Sequence, residues 1–255
     1  MINYCPIAPI SVLRAKLFEP YNCSRSHVMI LAHLCEEGSD YVNYYNNTQK
    51  FREWTLLDNG AAENSQIDDD ALIEKVKLMH PNVVIAPDTL FDGEKTIEHS
   101  MAFIKKIRSE VPQVKIMVVP HGKDEDEYIK TFNYFNECKD VDWIGVSKFV
   151  SVKPFTDRIT CFMKLMDAGI QFKKPMHVLG CNNPVEIAYI TKIPQVKSID
   201  SCIAYLYKDQ EMPLDNSINK RLDTPHDFFE WGALTDQEVE QSWKNIIKID
   251  KLCNF

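Results

Sequence analysis

Short apolar runs alternate along the chain with longer amphipathic stretches. The run at 28–34 reads Val-Met-Ile-Leu-Ala-His-Leu, and a continuous apolar run of this length is typical of a strand buried on both faces of a parallel sheet. Six further runs follow at 55–58, 82–88, 115–120, 143–147, 176–180 and 198–200. The pattern therefore predicts seven strands.

Between these runs, hydrophobic residues recur at the three- and four-residue spacing of amphipathic helices. Predicted helices cover residues 68–80, 94–110, 124–138, 155–168, 184–193 and 235–252. Asn183 and Pro184 suit an N-cap and a first helical position, and Thr235 with Glu238 matches a capping box. Gly169 stands where the fourth of these helices should end.

The alternation of strand and helix indicates parallel strands joined by right-handed crossovers. Seven or eight such units in 255 residues favour an α/β fold of the TIM-type (β/α)8 barrel class, with some irregularity, over an open sheet. Because no linker divides the chain, residues 1–255 are expected to form a single barrel domain. Residues 207–232 are polar and contain proline, which predicts a long loop or lid after the last strand.

Charge and composition narrow the function classes. The formal net charge is −8, with Lys and Arg spread along the chain, which argues against a generally basic nucleic-acid coat and leaves a local basic groove open. The chain has no secretory signal pattern and no run near the ~18–20 apolar residues that span a bilayer, so we expect a cytoplasmic protein without membrane contact. The eight cysteines form no zinc-type cluster, and neither GxGxxG nor GxxxxGK[ST] occurs.

Polar residues and glycines stand where the predicted strands end, which is the edge where active sites form in parallel barrels. Asp58 closes the second run, and Asp200 closes the seventh. The other strand ends carry Asp88, His121, Gly145, Lys148 and Gly180. Each has an ordinary alternative as a turn, a helix cap, a loop residue or a packing glycine. Two carboxylates facing one mouth would suffice for nucleophilic attack and proton transfer at a sugar carbon.

In order and spacing, the strand-end segments resemble the tRNA-guanine transglycosylase superfamily, and more closely its DNA-modifying branch from phages and bacterial modification islands. The matching segments lie at 57–61, 86–88, 119–122, 144–146, 179–180 and 199–202. They span roughly residues 28–205. The family exchanges a guanine in nucleic acid for a 7-deazaguanine on a TIM-type barrel.

The resemblance implies a role for each matched residue. Asp200 corresponds to the nucleophile, and Asp58 corresponds to the general acid/base. Asp88 corresponds to the carboxylate that binds the purine, and His121 lies where the family often has a glutamine that contacts the base. The remaining substrate-binding positions that the resemblance implies are Gly145, Asn59, Gly60 and Gly180.

One departure from the family bears on the substrate. The tRNA enzymes carry a CxCxxC zinc motif after the nucleophile strand, whereas only Cys202 and Cys253 follow Asp200 here. We therefore expect no metal and no other cofactor, and DNA rather than tRNA as the polymer, with a free 7-deazaguanine base as second substrate. A homodimer is left open. Basic side chains interleaved with aromatic residues suit the binding of a nucleic-acid strand. We expect the nucleic-acid contacts at Lys148, Lys153, Lys208, Lys220 and Arg221.

Three other functions stay open at this stage. The chain could perform the same exchange on tRNA. Lys148 could form a Schiff base with a carbonyl substrate, as a strand-end lysine does in barrel aldolases, with Asp58 and Asp200 moving protons. A catalytically inactive barrel that serves as a binding subunit is the non-enzymatic alternative.

Overall fold

The computed structural model describes residues 2–14, 27–48, 53–61, 66–214 and 224–254. The strands are β1 (Asn3–Pro6), β2 (His27–Leu31), β3 (Trp54–Asp58), β4 (Val83–Ile85), β5 (Lys115–Val118), β6 (Trp143–Val146), β7 (Met176–Val178) and β8 (Val196–Ser201). The helices are α1 (Ile10–Arg14), α2 (Asp40–Thr48), α3 (Asp69–Met79), α4 (Gly93–Glu110), α5 (Glu125–Glu137), α6 (Arg158–Asp167), α7 (Pro184–Ile190), α8 (Ile203–Leu206) and α9 (Asp236–Cys253). Short 3₁₀ turns cover Ala32–Leu34, Lys148–Ser151 and Phe228–Glu230.

The strands form one parallel sheet in the order β1-β8-β7-β6-β5-β4-β3-β2. Since β1 and β2 also contact each other, the sheet closes almost completely into a (β/α)8 barrel. The predicted TIM-type fold is thereby confirmed. The barrel has one irregularity, a register shift between Met176 and His177 where β7 pairs with β8.

The eighth strand is β1, which the apolar pattern did not predict. Its four residues pair with β8 so that Cys5 lies opposite Asp200. The segment is short and ends at Pro6, which has no N–H for a sheet hydrogen bond, so its sequence resembles a loop. Helix α2 was also missed, because its sequence is rich in Asn and Tyr and it buries only Tyr41, Val42 and Thr48.

The predicted helix ends are present in the structure. The Asn183 side chain accepts hydrogen bonds from the backbone N–H groups of α7, with Pro184 at the first helical position. Thr235 and Glu238 form the reciprocal capping box at the start of α9. Gly169 follows α6 with φ +76°, a left-handed conformation that glycine adopts readily.

Apolar side chains fill the barrel interior in alternating positions along the strands. Met29 and Leu31 of β2 pack with Val83 and Ile85 of β4 and with residues of β3 and β5. At the amino-terminal end of the barrel, the Trp54 ring stacks on His27 at 5.5 Å and lies 5.3 Å from Trp143. Aromatic side chains therefore pack together at the amino-terminal end of the barrel. Below the carboxyl-terminal end, the interior is filled by packed apolar side chains.

The segment 207–232 is irregular where the structure describes it, with a single 3₁₀ turn at Phe228–Glu230. Residues 215–223 of this predicted lid lie outside the described ranges. Thr224 and Phe229 come from its second half and line the pocket described below. Across the described ranges, every helix is too short or too polar to cross a membrane.

Candidate active site

A pocket of about 700 Å³, including its open mouth, lies at the carboxyl ends of the strands. Most of its wall is apolar, formed by Ile7, Met29, Leu31, Ile85, Leu90, Val119, Phe149, Leu179 and Phe229. Six residues that the sequence placed in the site line it, namely Asp58, Asn59, Asp88, Lys148, Gly180 and Asp200. An apolar pocket with three carboxylates suits a largely apolar ligand that carries hydrogen-bond donors.

Asp200 lies on β8 with only 6% of its surface exposed. Its Oδ1 accepts a hydrogen bond from the Gly180 backbone N–H at 3.0 Å and lies 3.0 Å from His177 Nε2. Among the residues that the structure describes, Oδ2 has no hydrogen-bond partner. One oxygen of this carboxylate is therefore held in place, and the other is available to a ligand in the pocket.

His177 is fully buried beneath Asp200 on the neighbouring strand β7. Its Nδ1 lies 2.7 Å from the hydroxyl oxygen of Ser198, the residue opposite it in the β7–β8 register. In the neutral tautomer with its proton on Nε2, His177 donates to the Asp200 carboxylate and accepts at Nδ1 from the Ser198 hydroxyl. The sequence analysis did not predict a role for His177. The available signal was that His177 and Ser198, on neighbouring predicted strands, each stand two positions before a residue that lines the pocket.

A buried ion pair braces the turn that holds Asp200. Arg158, 1% exposed, donates from Nε and Nη2 to the two carboxylate oxygens of Glu186 at 2.7 Å and 2.6 Å. The same guanidinium donates to the carbonyl oxygens of Leu179 and Gly180. Arg158 therefore fixes the turn whose Gly180 N–H contacts Asp200, a role that no sequence pattern had indicated.

Gly180 is required by this turn for two reasons. Its φ is +63°, in the left-handed region, and a Cβ atom there would lie 2.8 Å from Cδ of Lys148. Lys148 therefore packs its aliphatic stem on Gly180 while it lines the pocket. The glycine brings a lysine and the Asp200 carboxylate to the same part of the wall.

Asp88 is buried at the opposite part of the pocket, after β4. Its Oδ1 accepts from Asn59 Nδ2 at 2.7 Å, and its Oδ2 lies 2.7 Å from His121 Nε2. Asn59 is itself fixed, since Nδ2 also donates to the Ala86 carbonyl and Oδ1 accepts from the Ala61 N–H. Both oxygens of Asp88 thus have a partner, and the plane of the carboxylate is set.

His121 does not line the pocket. It is 2% exposed and contacts Asp88, where the resemblance had implied a contact with the base. Gly145 on β6 is also behind the wall, because a Cβ there would lie 2.9 Å from Val119 and 3.0 Å from Leu179, two wall residues. These two positions therefore shape the pocket from outside it.

Asp58 ends β3 and lines the pocket with 6% of its surface exposed. Its Oδ2 accepts from the Gly60 N–H at 3.2 Å, and Gly60 makes the turn with φ +80°. Strands β3 and β8 are separated by β2 and β1 around the barrel. Asp58 and Asp200 therefore approach the pocket from different sides.

The predicted nucleic-acid cations fall into three groups. Lys148 lines the pocket, with Nζ 5.4 Å from the Phe149 ring. Lys153 Nζ lies 4.8 Å from the ring of Phe91, which contacts Phe149. Lys208 instead pairs with Glu238 and lines a separate surface hollow near α9. The remaining two, Lys220 and Arg221, lie outside the described residues.

Cys202 is the thiol that lines the pocket beside Asp200. Its burial raises the pKa of the thiol, against the effect of a hydrogen bond with Thr224, so the group is a neutral thiol at physiological pH. Over the described ranges, His, Cys, Asp and Glu side chains form no group of three or more that could hold a metal ion. Besides Cys202, the ionisable side chains among the described residues that line the pocket are Asp58, Asp88, Asp200 and Lys148.

Comparison with known proteins finds similarity in fold alone. No family model matches the chain, and no curated protein matches it. A citrate synthase variant, SbnG, is 12% identical, with a TM-score of 0.52 over 81% of this chain and 89% of its own. An N-(5'-phosphoribosyl)anthranilate isomerase from Pyrococcus furiosus is 10% identical, with a TM-score of 0.45 over 96% and 98% of the two chains. At 12% identity, the likeness to SbnG shows the fold alone, the (β/α)8 barrel.

Proposed function

We propose that the protein is a base-exchange transglycosylase that replaces guanine in DNA with a 7-deazaguanine derivative, such as 7-cyano-7-deazaguanine. The observation that carries this proposal is the asymmetric carboxylate of Asp200. One oxygen is held by His177 and Gly180, and the other faces a pocket that also contains Asp58 and Asp88. The ordered strand-end segments that resemble the transglycosylase superfamily support the same assignment.

In the first half-reaction, Asp200 Oδ2 attacks C1′ of the target deoxynucleotide. The C1′–N9 bond breaks, its electron pair leaves with guanine, and Asp58 donates a proton to the departing base. Positive charge develops on the sugar as this bond lengthens, as it does in glycoside hydrolysis, and the carboxylate captures the carbon. The product is a covalent link between Asp200 and the DNA strand, which keeps the strand bound while the bases exchange.

In the second half-reaction, a 7-deazaguanine derivative takes the place of guanine. Its N9–H gives a proton to Asp58, N9 attacks C1′, and the C1′–Oδ2 bond breaks with its electron pair returned to Asp200. Asp58 ends protonated and Asp200 ends as a carboxylate, as at the start. Because one C1′–N9 bond is broken and an equivalent C1′–N9 bond is formed, the exchange needs no ATP.

Asp88 is the group that suits guanine recognition. Each of its oxygens has one partner, and a carboxylate oxygen can accept a second hydrogen bond, here from guanine N1–H or the exocyclic amine. Adenine has an acceptor at N1, so its lone pair would face the carboxylate. Fixing of the Asp88 plane by Asn59 and His121 therefore favours guanine and its 7-deaza analogues.

Under this proposal the polymer is DNA, because the ordered strand-end segments resemble the DNA-modifying branch of the superfamily more closely. A guanine in duplex DNA must leave the base stack before its C1′ can reach a recessed carboxylate. Lys148 lines the pocket, and under this proposal it contacts the phosphate of such an extruded nucleotide. Exchange in tRNA is the second polymer to test.

The test is exchange by the purified protein. We expect incubation with guanine-containing DNA and 7-cyano-7-deazaguanine to release guanine and to give the modified deoxynucleoside in equal amounts, measured by mass spectrometry of digested nucleosides. Asp126→Ala, which alters an exposed aspartate on α5, is the matched control and should exchange normally. Exchange in tRNA with none in DNA would overturn the polymer, and exchange in neither would overturn the proposed function.

A Schiff-base barrel is the second candidate, favoured by one observation. Lys148 lines the same pocket as Asp58 and Asp200, the arrangement that a lysine nucleophile with carboxylate proton carriers would need. Borohydride reduction in the presence of aldehyde and ketone substrates would attach the substrate to Lys148 if this candidate is right. Under the transglycosylase proposal, Lys148 stays unmodified.

A further inference from the structure

Two aromatic rings and two lysines form a surface at the pocket mouth, which we call the rim platform: Phe91, Phe149, Lys148 and Lys153. The two rings meet edge to face at 6.1 Å and 82°. Lys153 Nζ lies 4.8 Å from the Phe91 ring, and Lys148 Nζ lies 5.4 Å from the Phe149 ring. Since Phe149 and Lys148 also line the pocket, the platform borders the site directly.

Phe91 reaches this position through an unusual backbone. Its φ is +63°, in the left-handed region that bulky residues rarely adopt. The turn that contains it is closed by the hydrogen bond from the Asp92 N–H to the Thr89 carbonyl, and Asp92 then caps α4. Glycine or asparagine would fit this turn better, and the half-exposed Phe91 ring is not part of the buried core. The strained conformation therefore holds an aromatic ring at the mouth.

Lys148 and Lys153 place two positive charges at the rim of a chain whose net charge is −8. Lys95 and Lys123 lie near Asp92, and Lys95 Nζ pairs with the Asp92 carboxylate at 3.3 Å. The backbone hydrogen bond from Lys95, together with the charges of both lysines, holds the pKa of Asp92 below its usual value. Phosphates with exposed bases complement this surface, because they pair with the cations while the bases stack on the rings.

We propose that the rim platform binds a DNA strand next to the extruded guanine, with Phe91 stacking the neighbouring base and Lys153 contacting the adjacent phosphate. This inference rests on the proposed function for the identity of the extruded nucleotide. Stacking on an aromatic ring tolerates any base, so the platform would hold the strand without choosing the flanking sequence. Asp88 would then select the guanine, and the rim would position the strand.

The central test replaces Phe91 by glycine and by tyrosine. Phe91→Gly removes the ring and relieves the left-handed strain, so the fold is retained, as thermal melting will show. The probe is a fluorescein-labelled single-stranded DNA with one guanine, and binding is measured by fluorescence anisotropy. We expect Phe91→Gly to weaken DNA binding about 10-fold, within the range of one lost base stack, and Phe91→Tyr to restore it. Binding of the free 7-deazaguanine base should not change.

Two further variants separate stacking from charge. Tyr189→Ala, which removes a 62% exposed aromatic residue on α7, is the matched control and should leave DNA affinity unchanged. Lys153→Ala should reduce the slope of log affinity against log salt concentration by about one, as expected for the loss of one phosphate contact.

The outcomes distinguish this inference from the proposed function. If the wild-type protein exchanges bases and Phe91→Gly binds DNA like wild type, the platform is wrong and the function stands. If the wild-type protein exchanges no base but Phe91→Gly loses DNA affinity, the platform stands and the function is wrong. A larger loss for an RNA probe than for the DNA probe, or a wild-type protein that binds neither, would overturn the platform as a DNA site.

Discussion

Two buried aspartate–histidine pairs face each other across the pocket, and they differ in one respect. Asp88 pairs with His121 at 2.7 Å and accepts from Asn59 through its other oxygen. Asp200 pairs with His177 at 3.0 Å and accepts from Gly180 through the same oxygen. Among the described residues, the Asp88 carboxylate is hydrogen-bonded through both oxygens, whereas the Asp200 carboxylate is hydrogen-bonded through one.

Under the proposed function, this difference lets the same two residue types serve recognition and attack. A carboxylate with both oxygens fixed presents acceptors in a set plane, which suits the donor edge of guanine. A carboxylate held through one oxygen keeps its orientation while the other oxygen can form a bond. Under the proposed function, the histidine therefore does not decide the role of each aspartate. The role depends on whether the second partner, Asn59 or Gly180, binds the other carboxylate oxygen or the same one.

The largest expected effect comes from replacing Asp200 or Asp58 by alanine. Asp200→Ala and Asp58→Ala should each abolish base exchange, by about 10⁴-fold or more, because the nucleophile or the proton carrier is lost. Asp88→Ala should mainly raise the KM for the base, by about 10- to 100-fold, since it removes hydrogen bonds to a charged acceptor. Steady-state exchange at varied base concentration gives both parameters. Full exchange by Asp200→Ala would refute the mechanism.

A smaller effect is expected from the histidines. His177→Phe should lower kcat for sugar transfer about 10- to 100-fold with little change in KM, because one charge-assisted hydrogen bond to Asp200 is lost. His121→Phe should instead raise the KM for the base, since it acts through Asp88. His177→Gln, which keeps an N–H donor, should recover part of the rate. Identical kcat and KM changes in the two phenylalanine variants would remove the proposed distinction.

The same two regions show what the sequence could predict. Asp58, Asp88 and Asp200 follow apolar runs, and such runs mark buried parallel strands, so the barrel fixes which end the carboxylates occupy. His177 lies within an apolar run, and its contact with Asp200 depends on the β7–β8 register, which periodicity does not specify. The β1 strand was missed because four residues ending in proline carry too weak a pattern.

Arg158 was missed for a different reason. A charged residue at the start of an amphipathic helix normally indicates a solvated face, and its burial depends on Glu186, 28 residues away. Similarly, the position of His121 behind Asp88 depends on side-chain packing between two loops. Long-range pairing of this kind leaves no local trace in one sequence.

The smallest effect on exchange is expected from the Arg158–Glu186 pair, which supports only the Asp200 side. Arg158→Met should destabilise the fold by about 3–5 kcal/mol, because Glu186 is left buried without its partner. The double variant Arg158→Met/Glu186→Leu should recover much of this stability and still exchange several-fold more slowly, since the Gly180 turn is unbraced. Urea unfolding and kcat measure the two effects separately.

Arg108→Met is the matched control for that experiment. Arg108 also joins a carboxylate, Asp142, to a backbone carbonyl, that of Val114, but it does so just before β5 and β6, at the opposite end of the barrel. It should lower stability without changing kcat for exchange. A wild-type kcat in the Arg158→Met/Glu186→Leu protein would show that the brace is structural only.

The most direct test is to identify the atom that holds the sugar. The wild-type protein is incubated with guanine-containing DNA without the second base, denatured, and digested with nuclease and protease, and the peptides are analysed by mass spectrometry. The account predicts a deoxyribose-linked adduct on the peptide that contains Asp200, and none on those that contain Asp58 or Asp88. An adduct on Asp88, or exchange that proceeds with the sugar never attached to Asp200, would contradict it.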